Sequence, residues 1–474
     1  MKSEPSFSDI LTASANGWSQ RDSDEFLLSL AVPIQRVNPL AQLPLLSKGE
    51  QFRFLWDEAP ELCIAASGEC QHLDLAGPRR FELAQRFSEN IFGRIQDAIP
   101  IAPSQANPRI LLSFSFFDQI SERKRSFPAS SPLQAILPRW QLTTHGFNGW
   151  LRLNGVPSNE SEVRELVEEL WIMRDQLSSS NENEFSISQS SIPGICQSNK
   201  WKNCYEKALI QGIDLVNNGV LDKLVLAVRQ SILLNAPLDP LLMLGRLRKQ
   251  QSSSCRFLWQ RSEEQAFFGA SPERLLVVRN GYLQSDALAG TAMLNDDGQE
   301  LLKSEKDLRE HELVVKSITQ QLLNKGLSPH RSRSPRLAKH GQLLHLHTPI
   351  TAAIQNQQPL SLAKALHPTP AVAGLPRQEA MQWINNLEPF DRGSYAAPLG
   401  WIDNCGNAEF RVAIRCGSAV GNRLELTAGA GLVRGSIAER EMQEVGLKLA
   451  VLADQLDLIE PNIQLRQFNN RAII

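Results

Sequence analysis

The apolar positions of the chain change their period along its length. Ile110 to Leu112, with Phe114, Phe116 and Phe117, form a short and almost unbroken apolar run, which predicts a buried strand. Ser158 to Leu177 is charged and reads as a helix. Ser178 to Ser191 loses all periodicity; it is polar and serine-rich, a linker closed by Pro193 and Gly194. Beyond it, Tyr205, Leu209, Ile213 and Val216 recur at spacings of four, four and three, so Trp201 to Asn218 is a helix with one apolar face. Leu224 to Val228 is a short strand. Arg274 to Val278 and Tyr282 to Gln284 flank Asn280-Gly281, a pair suited to the positive φ values of a tight hairpin turn. Leu301 to Asn324 predicts a long amphipathic helix stopped by Gly326. Phe410 to Cys416 and Leu424 to Ala428 read as strands around a Gly421-Asn422 turn. Ser436-Ile437-Ala438-Glu439 has capping-box spacing and opens the last helix. Hairpin strands followed by long helices predict an α+β architecture with antiparallel sheets.

Composition narrows the function classes. The chain has 474 residues, 42% of them apolar and 21% charged, enough for a large core. Its length exceeds the roughly 250–300 residues at which single cores stop growing. Two domains or one large layered fold are therefore expected. Lys and Arg total 49 against 51 Asp and Glu, a net charge of −2. That balance excludes the basic surplus of a dedicated nucleic-acid binder or a polybasic membrane anchor. No apolar run is long enough for a membrane-spanning helix, and the first residues lack a secretory pattern. Seven cysteines without a C-x-x-C pair indicate neither a disulfide framework nor a zinc site; reduced thiols in the cytoplasm are expected.

Several polar residues stand in apolar surroundings. Lys223 opens an apolar strand, where lost solvation suits a base; a solvated lysine at a strand end is the plainer alternative. Glu273 follows Gly269-Ala270-Ser271-Pro272, a turn that can hold a protonated carboxyl toward a cavity or simply pair it with Arg274. Glu310 and His311 lie beside the apolar face of a charged helix, where Glu310 is either a hard-cation ligand or one of many i,i+4 partners. Glu441, Glu444 and Lys448 share one helix face, and Ala428-Gly429-Ala430-Gly431 just before them can offer N–H groups to an anion. Arg415, in Val412-Ala413-Ile414-Arg415, requires a buried anionic partner, from a ligand or from the protein. The basic stretch Ser328 to His340 reads as a solvated loop.

Taken in order, these residues carry a resemblance. Leu288 to Thr291 (LAGT), Glu310-His311, His345 to Thr348 (HLHT), Leu366 to Pro376 (LHPTPAVAGLP), Arg392 to Trp401 (RGSYAAPLGW), VAIR, AGAG and Glu444-x-x-x-Lys448 resemble the chorismate-utilising enzymes, and among them the isochorismate synthases. The strong similarity runs from about Leu221 to Leu452. It implies a layered α/β/β/α fold with orthogonally packed antiparallel sheets. Residues 1–192 would form a divergent N-terminal part, 193–460 the chorismate-binding region, and 461–474 a tail. It further implies Mg2+-dependent addition of water to C2 of chorismate with loss of the C4 hydroxyl. In that scheme Lys223 is the base and Glu273 the acid. Glu310 and Glu444 are metal ligands with Glu441 beside them. Thr291, His345, Tyr395, Arg415, Gly429, Gly431 and Lys448 surround the substrate.

Two positions choose within the family. Water-adding members have lysine at the place of Lys223, where ammonia-using relatives have glutamine. Ala289 stands where aminodeoxychorismate synthases carry a nucleophilic lysine, and alanine cannot form a covalent intermediate. No glutaminase subunit is therefore expected, and no nucleic acid or membrane partner. Salicylate synthase, which also eliminates pyruvate, shares the acid and base; the LHPTPAVAGLP segment resembles the isochorismate-only members better. Ala397 departs from the glycine common at that position. A catalytically silent chorismate-binding scaffold is the alternative from another class.

Overall fold

The computed structural model describes residues 5–21, 26–98, 103–119, 124, 127, 131–179, 192–196, 200–294 and 298–459. Its strands form one hydrogen-bonded network, almost wholly antiparallel, that forks at the long strand Leu133–His145. One arm leaves through Leu62–Leu75 and Arg53–Asp57. It continues through Cys255–Ser262, Gln265–Ser271, Cys416–Val420 and Arg423–Val433, and reaches Lys223–Leu234. The other leaves through Arg109–Phe114, Pro398–Asp403, Ala408–Val412 and Arg274–Arg279, and ends in Tyr282–Met293 and Leu343–Ala353. Both arms thus pass from the first 192 residues into the later region without leaving the sheet.

Helices cover these sheets. Glu305–Asn324 packs on Tyr282–Met293, Ala438–Ala453 on Arg423–Val433, and Lys200–Asn217 on Lys223–Leu234. The Tyr205, Leu209 and Val216 face is buried as its spacing requires. Between the layers lies one continuous core in which Phe52 and Phe54 both meet Trp259 edge-on at ring distances of 5.2 and 6.0 Å. Among the described residues no helix is long and apolar enough to cross a membrane.

Several local expectations change. The hairpin forms as predicted, with φ of 50° at Asn280 and 77° at Gly281. The long helix is split: Gly298–Lys303 ends and Glu305–Asn324 starts at Ser304, whose hydroxyl accepts the Asp307 N–H. The run Phe410 to Cys416 is not one strand. Ala408–Val412 ends, Cys416–Val420 begins, and Arg415 between them takes φ of 50°, so strand alternation does not govern its direction. The last helix has no capping box. Its N-cap is Ile437, and the Ser436 hydroxyl accepts the Val433 N–H instead. Part of the basic stretch is ordered as strand, His330–Arg331 and Arg336–His340 pairing with Leu343–Ala353. The polar linker lies outside the described residues apart from Ser178 and Ser179, which end the helix Glu160–Ser179, and so does 461–474.

Candidate active site

The inner ends of both sheet arms enclose a cavity with about 590 Å³ of atom-free space, its open mouth included. Lys223, Glu273, Thr291, Glu310, His345, Tyr395, Arg415, Gly429, Gly431, Glu444 and Lys448 all line it. Glu441 does not. Its buried carboxylate is held by Lys306 at 2.7 Å, one helical turn away from Glu444.

Lys223 is the first residue of its strand, registered against Val433 on one side and Leu375 on the other. The approach on that second side is close: a Cβ at Gly374, where φ is 144°, would stand 2.2 Å from the Lys223 carbonyl oxygen. The lysine side chain is buried, and its Nζ lies 2.8 Å from Glu310 Oε1. Glu310 comes from the second turn of the helix that Ser304 caps, so the start of that helix sets the depth of the acid.

Glu273 sits in a turn tied down on both sides. Its N–H donates to the Ser271 hydroxyl, which donates to the Val412 carbonyl at 2.6 Å, and its own carbonyl accepts the Val412 N–H. The carboxyl is buried and accepts a long hydrogen bond of 3.4 Å from the Thr369 hydroxyl. Burial pushes its pKa up to about 7, against the opposing pull of Lys223, Thr369, Arg415 and Lys448.

Lys448 reaches back along its helix to Glu444, 2.5 Å between Nζ and Oε1, and donates to the Gly429 carbonyl at 2.9 Å. Burial works to raise the Glu444 carboxyl, but Lys448, Lys306 and Arg415 together hold the group below its ordinary value. Arg415 lines the cavity with no carboxylate within ion-pair distance among the described residues. Burial lowers its pKa, partly offset by Tyr395, Glu444 and Glu273. A buried guanidinium without a protein anion is ready for a ligand anion. Its left-handed backbone costs about 1–3 kcal/mol and turns the residue out of the sheet.

Gly429 and Gly431 lie within the strand Arg423–Val433, paired with Ala227 and Val225. Their contribution is empty space. A Cβ at Gly431 would come within 2.7 Å of Glu310 Oε1 and 3.0 Å of Lys223 Cε; one at Gly429 would meet the Tyr395 hydroxyl at 3.2 Å. His345 hydrogen-bonds through Nδ1 to the Gly290 carbonyl at 2.9 Å, with Thr291 Oγ1 3.3 Å away. Burial, with Arg415 next in weight, holds the ring well below its usual pKa. The neutral ring therefore donates from Nδ1 and leaves Nε2 as an acceptor, without a protein partner among the described residues.

Leu288, Ala371, Val372 and Ile414, which fall inside the LAGT, LHPTPAVAGLP and VAIR motifs, also line the cavity, while Thr369 bonds Glu273 and Lys306 holds Glu441 from outside the lining. Ala289 lines the cavity, whereas Ala397 is buried outside the lining.

Glu310 and Glu444 both line the cavity, with only lysines as ion-pair partners among the described residues, and Gly431 leaves room beside Glu310. Among the described residues no group of three or more His, Cys, Asp or Glu side chains gathers as a metal site. Two carboxylates lining one cavity fit Mg2+, which keeps most of its shell for water and substrate.

The sequence profile of the chorismate binding enzyme family matches residues 11–457. Isochorismate synthase MenF of Bacillus subtilis is 29% identical over 446 residues, covering 91% of this chain and 93% of that protein. The salicylate biosynthesis isochorismate synthase of Pseudomonas aeruginosa is 38% identical over 263 residues, 54% of this chain and about half, 55%, of that protein. In structure, MenF, the menaquinone-specific isochorismate synthase from Escherichia coli, superposes with a TM-score of 0.74 at 25% identity, over 94% of this chain and all of that one. Anthranilate synthase component I from Streptococcus pneumoniae, at 19% identity and a TM-score of 0.67, shares the fold. The matched profile, the layered antiparallel fold and the cavity that unites the motifs agree: the chain belongs to the chorismate-binding enzyme family.

Proposed function

We propose that the protein is an isochorismate synthase, adding water to C2 of chorismate as the C4 hydroxyl leaves. One observation carries the reading: Lys223 and Glu273 line a single cavity, and Glu273 is a buried acid whose pKa is raised to about 7. A carboxyl with that pKa is still protonated near neutrality and can donate to a departing hydroxyl. Lys223, in its unprotonated form and released from Glu310, is the amine that takes a proton from the attacking water. The two transfers balance: one water enters, one hydroxide leaves with the proton of Glu273, and the product is an isomer of the substrate.

The remaining residues bind and orient a dianion. Arg415 and Lys448 supply positive charge for its carboxylates, and Arg415 has no competing protein anion. Tyr395, Ile414, Ala371 and Val372 enclose the ring and exclude water other than the attacking molecule. Glu310 and Glu444 would hold Mg2+, which when bound supplies a cationic partner for the ring carboxylate and draws charge from the ring. Ala289 offers no nucleophile, so no covalent intermediate forms there. We place the reaction in the cytoplasm and infer that its product feeds quinone or else siderophore and salicylate biosynthesis; likeness over 94% of the chain to the menaquinone-specific isochorismate synthase from Escherichia coli supports the first.

The test is product analysis of purified protein with chorismate and Mg2+. Isochorismate should form without added ammonia and without stoichiometric pyruvate. Salicylate with equal pyruvate would transfer the chain to the salicylate synthases. Binding without turnover would make it a silent scaffold.

A further inference from the structure

The two helices that present Glu310 and Glu444 are joined by an ion pair outside the cavity lining, and its lysine is also within electrostatic reach of Glu310 and Glu444. Lys306 lies one turn before Glu310 on its helix, and Glu441 one turn before Glu444 on the other. Lys306 Nζ stands 2.7 Å from Glu441 Oε1. The acid is buried, 2% exposed at the side chain, while the lysine is 34% exposed and closes the pair from the solvent side. Glu441 shares a helix face with Glu444, so without the lysine a third carboxylate would stand next to the two that line the cavity. With the lysine in place no three-acid group gathers there among the described residues.

We propose that Lys306 is a positioning residue that withholds Glu441 from the metal site and thereby sets its preference for Mg2+ over Ca2+. The inference rests on the assignment of Glu310 and Glu444 as metal acids. Its chemistry is the difference between the two ions. Mg2+ is small, keeps bound water and is satisfied by one or two carboxylates, whereas Ca2+ takes six to eight oxygens and gains most from each added carboxylate. A site held to two acids by a clamp therefore disfavours Ca2+. Releasing the third acid adds a ligand and removes a nearby cation, and the first of these effects distinguishes the ions. A loss of positive charge alone strengthens both equally.

The experiment is calorimetric titration of the full chain with Mg2+ and with Ca2+, each alone and without chorismate. Lys306→Met is expected to raise Ca2+ affinity relative to Mg2+ by about fivefold or more. Lys306→Arg, which keeps the ion pair, should restore the original ratio. Glu441→Gln should leave Mg2+ affinity close to that of the unaltered protein, because the withheld acid is not a ligand. An unchanged ratio in Lys306→Met, or equal strengthening of both ions, overturns the proposal. So does a loss of Mg2+ binding in Glu441→Gln as large as that in Glu310→Gln, since Glu441 would then be a ligand. Glu310→Gln separates the two levels: Mg2+ binding that ignores this substitution overturns the metal assignment itself. Binding that depends on Glu310 while the ratio ignores Lys306 overturns only the clamp.

Discussion

Lys223 Nζ and Glu310 Oε1 are 2.8 Å apart, so the amine assigned as base and a carboxylate assigned to the metal are partners before either has a ligand. One carboxylate oxygen cannot serve an ammonium and a divalent cation equally well. Metal loading and the freeing of Lys223 are therefore linked. Lys223→Ala is expected to lower turnover by roughly 10²–10⁴, the usual worth of a general base, while chorismate still binds. Mg2+ binding without substrate should hold or tighten, because the competing ammonium is gone. Steady-state kinetics together with metal and chorismate titrations check this; undiminished turnover would remove Lys223 from the reaction.

Glu273 fixes the direction of the pH dependence. Its carboxyl is raised by burial from 4.5 to about 7, and the protonated form is the one that donates. The value of kcat/KM should therefore fall as pH rises through about 7. The same shift has a stability consequence. The buried acid favours the fold fully below its unfolded pKa, and that contribution is lost as pH climbs through about 7. Glu273→Gln should abolish turnover and flatten the stability profile in that window. A kcat/KM that stays level from pH 6 to 8 would count against the assignment.

Gly431→Ala tests the empty space beside the ion pair. Its methyl would lie 2.7 Å from Glu310 Oε1 and 3.0 Å from Lys223 Cε, both near the ends of flexible side chains. The fold should survive with little change in Tm, while kcat/KM drops roughly tenfold to a hundredfold through misplacement of the pair. Full activity in a well-folded variant would show that this spacing is not needed.

Arg392 is the test of architecture. Its guanidinium bonds both carboxylate oxygens of Glu388, and it donates to the carbonyls of Val225 at 2.9 Å and Val372 at 2.7 Å. Glu388 also accepts the Ala227 N–H at 2.7 Å. Arg392→Met leaves a buried acid unpaired and should destabilise the protein by about 3–5 kcal/mol in denaturant unfolding. A loss under about 1 kcal/mol would mean that the pair is dispensable.

How far the sequence reveals this molecule depends on the kind of contact. Periodicity and turn chemistry are local, so the Tyr205 helix face and the Asn280-Gly281 hairpin could be read directly. The break between Val412 and Cys416 could not, because Arg415 adopts its left-handed backbone only where strands from both arms meet. The AGAG glycines were legible as important but not in their role. Their mid-strand position depends on pairing with Lys223–Leu234, some two hundred residues earlier. Glu441 and Glu444 look alike on one helix face; only the neighbouring helix, by offering Lys306, separates them. The charged residues of the cavity could be given chemical roles from their motifs, whereas Ala371, Val372 and Ile414 sat inside motifs without a role until the sheets closed around them.

The shared sheet has a practical consequence for dissecting the protein. Similarity to the Pseudomonas relative spans 54% of the chain, which invites excision of that region as a working unit. Yet Cys255–Ser262 is hydrogen-bonded along one side to Arg53–Asp57, and Pro398–Asp403 along one side to Arg109–Phe114. A fragment beginning at residue 193 would bare two interior strand edges rich in apolar side chains. Such edges recruit other chains. Where relatives stop resembling one another is thus no guide to where the polypeptide can be cut, and the excised piece should aggregate.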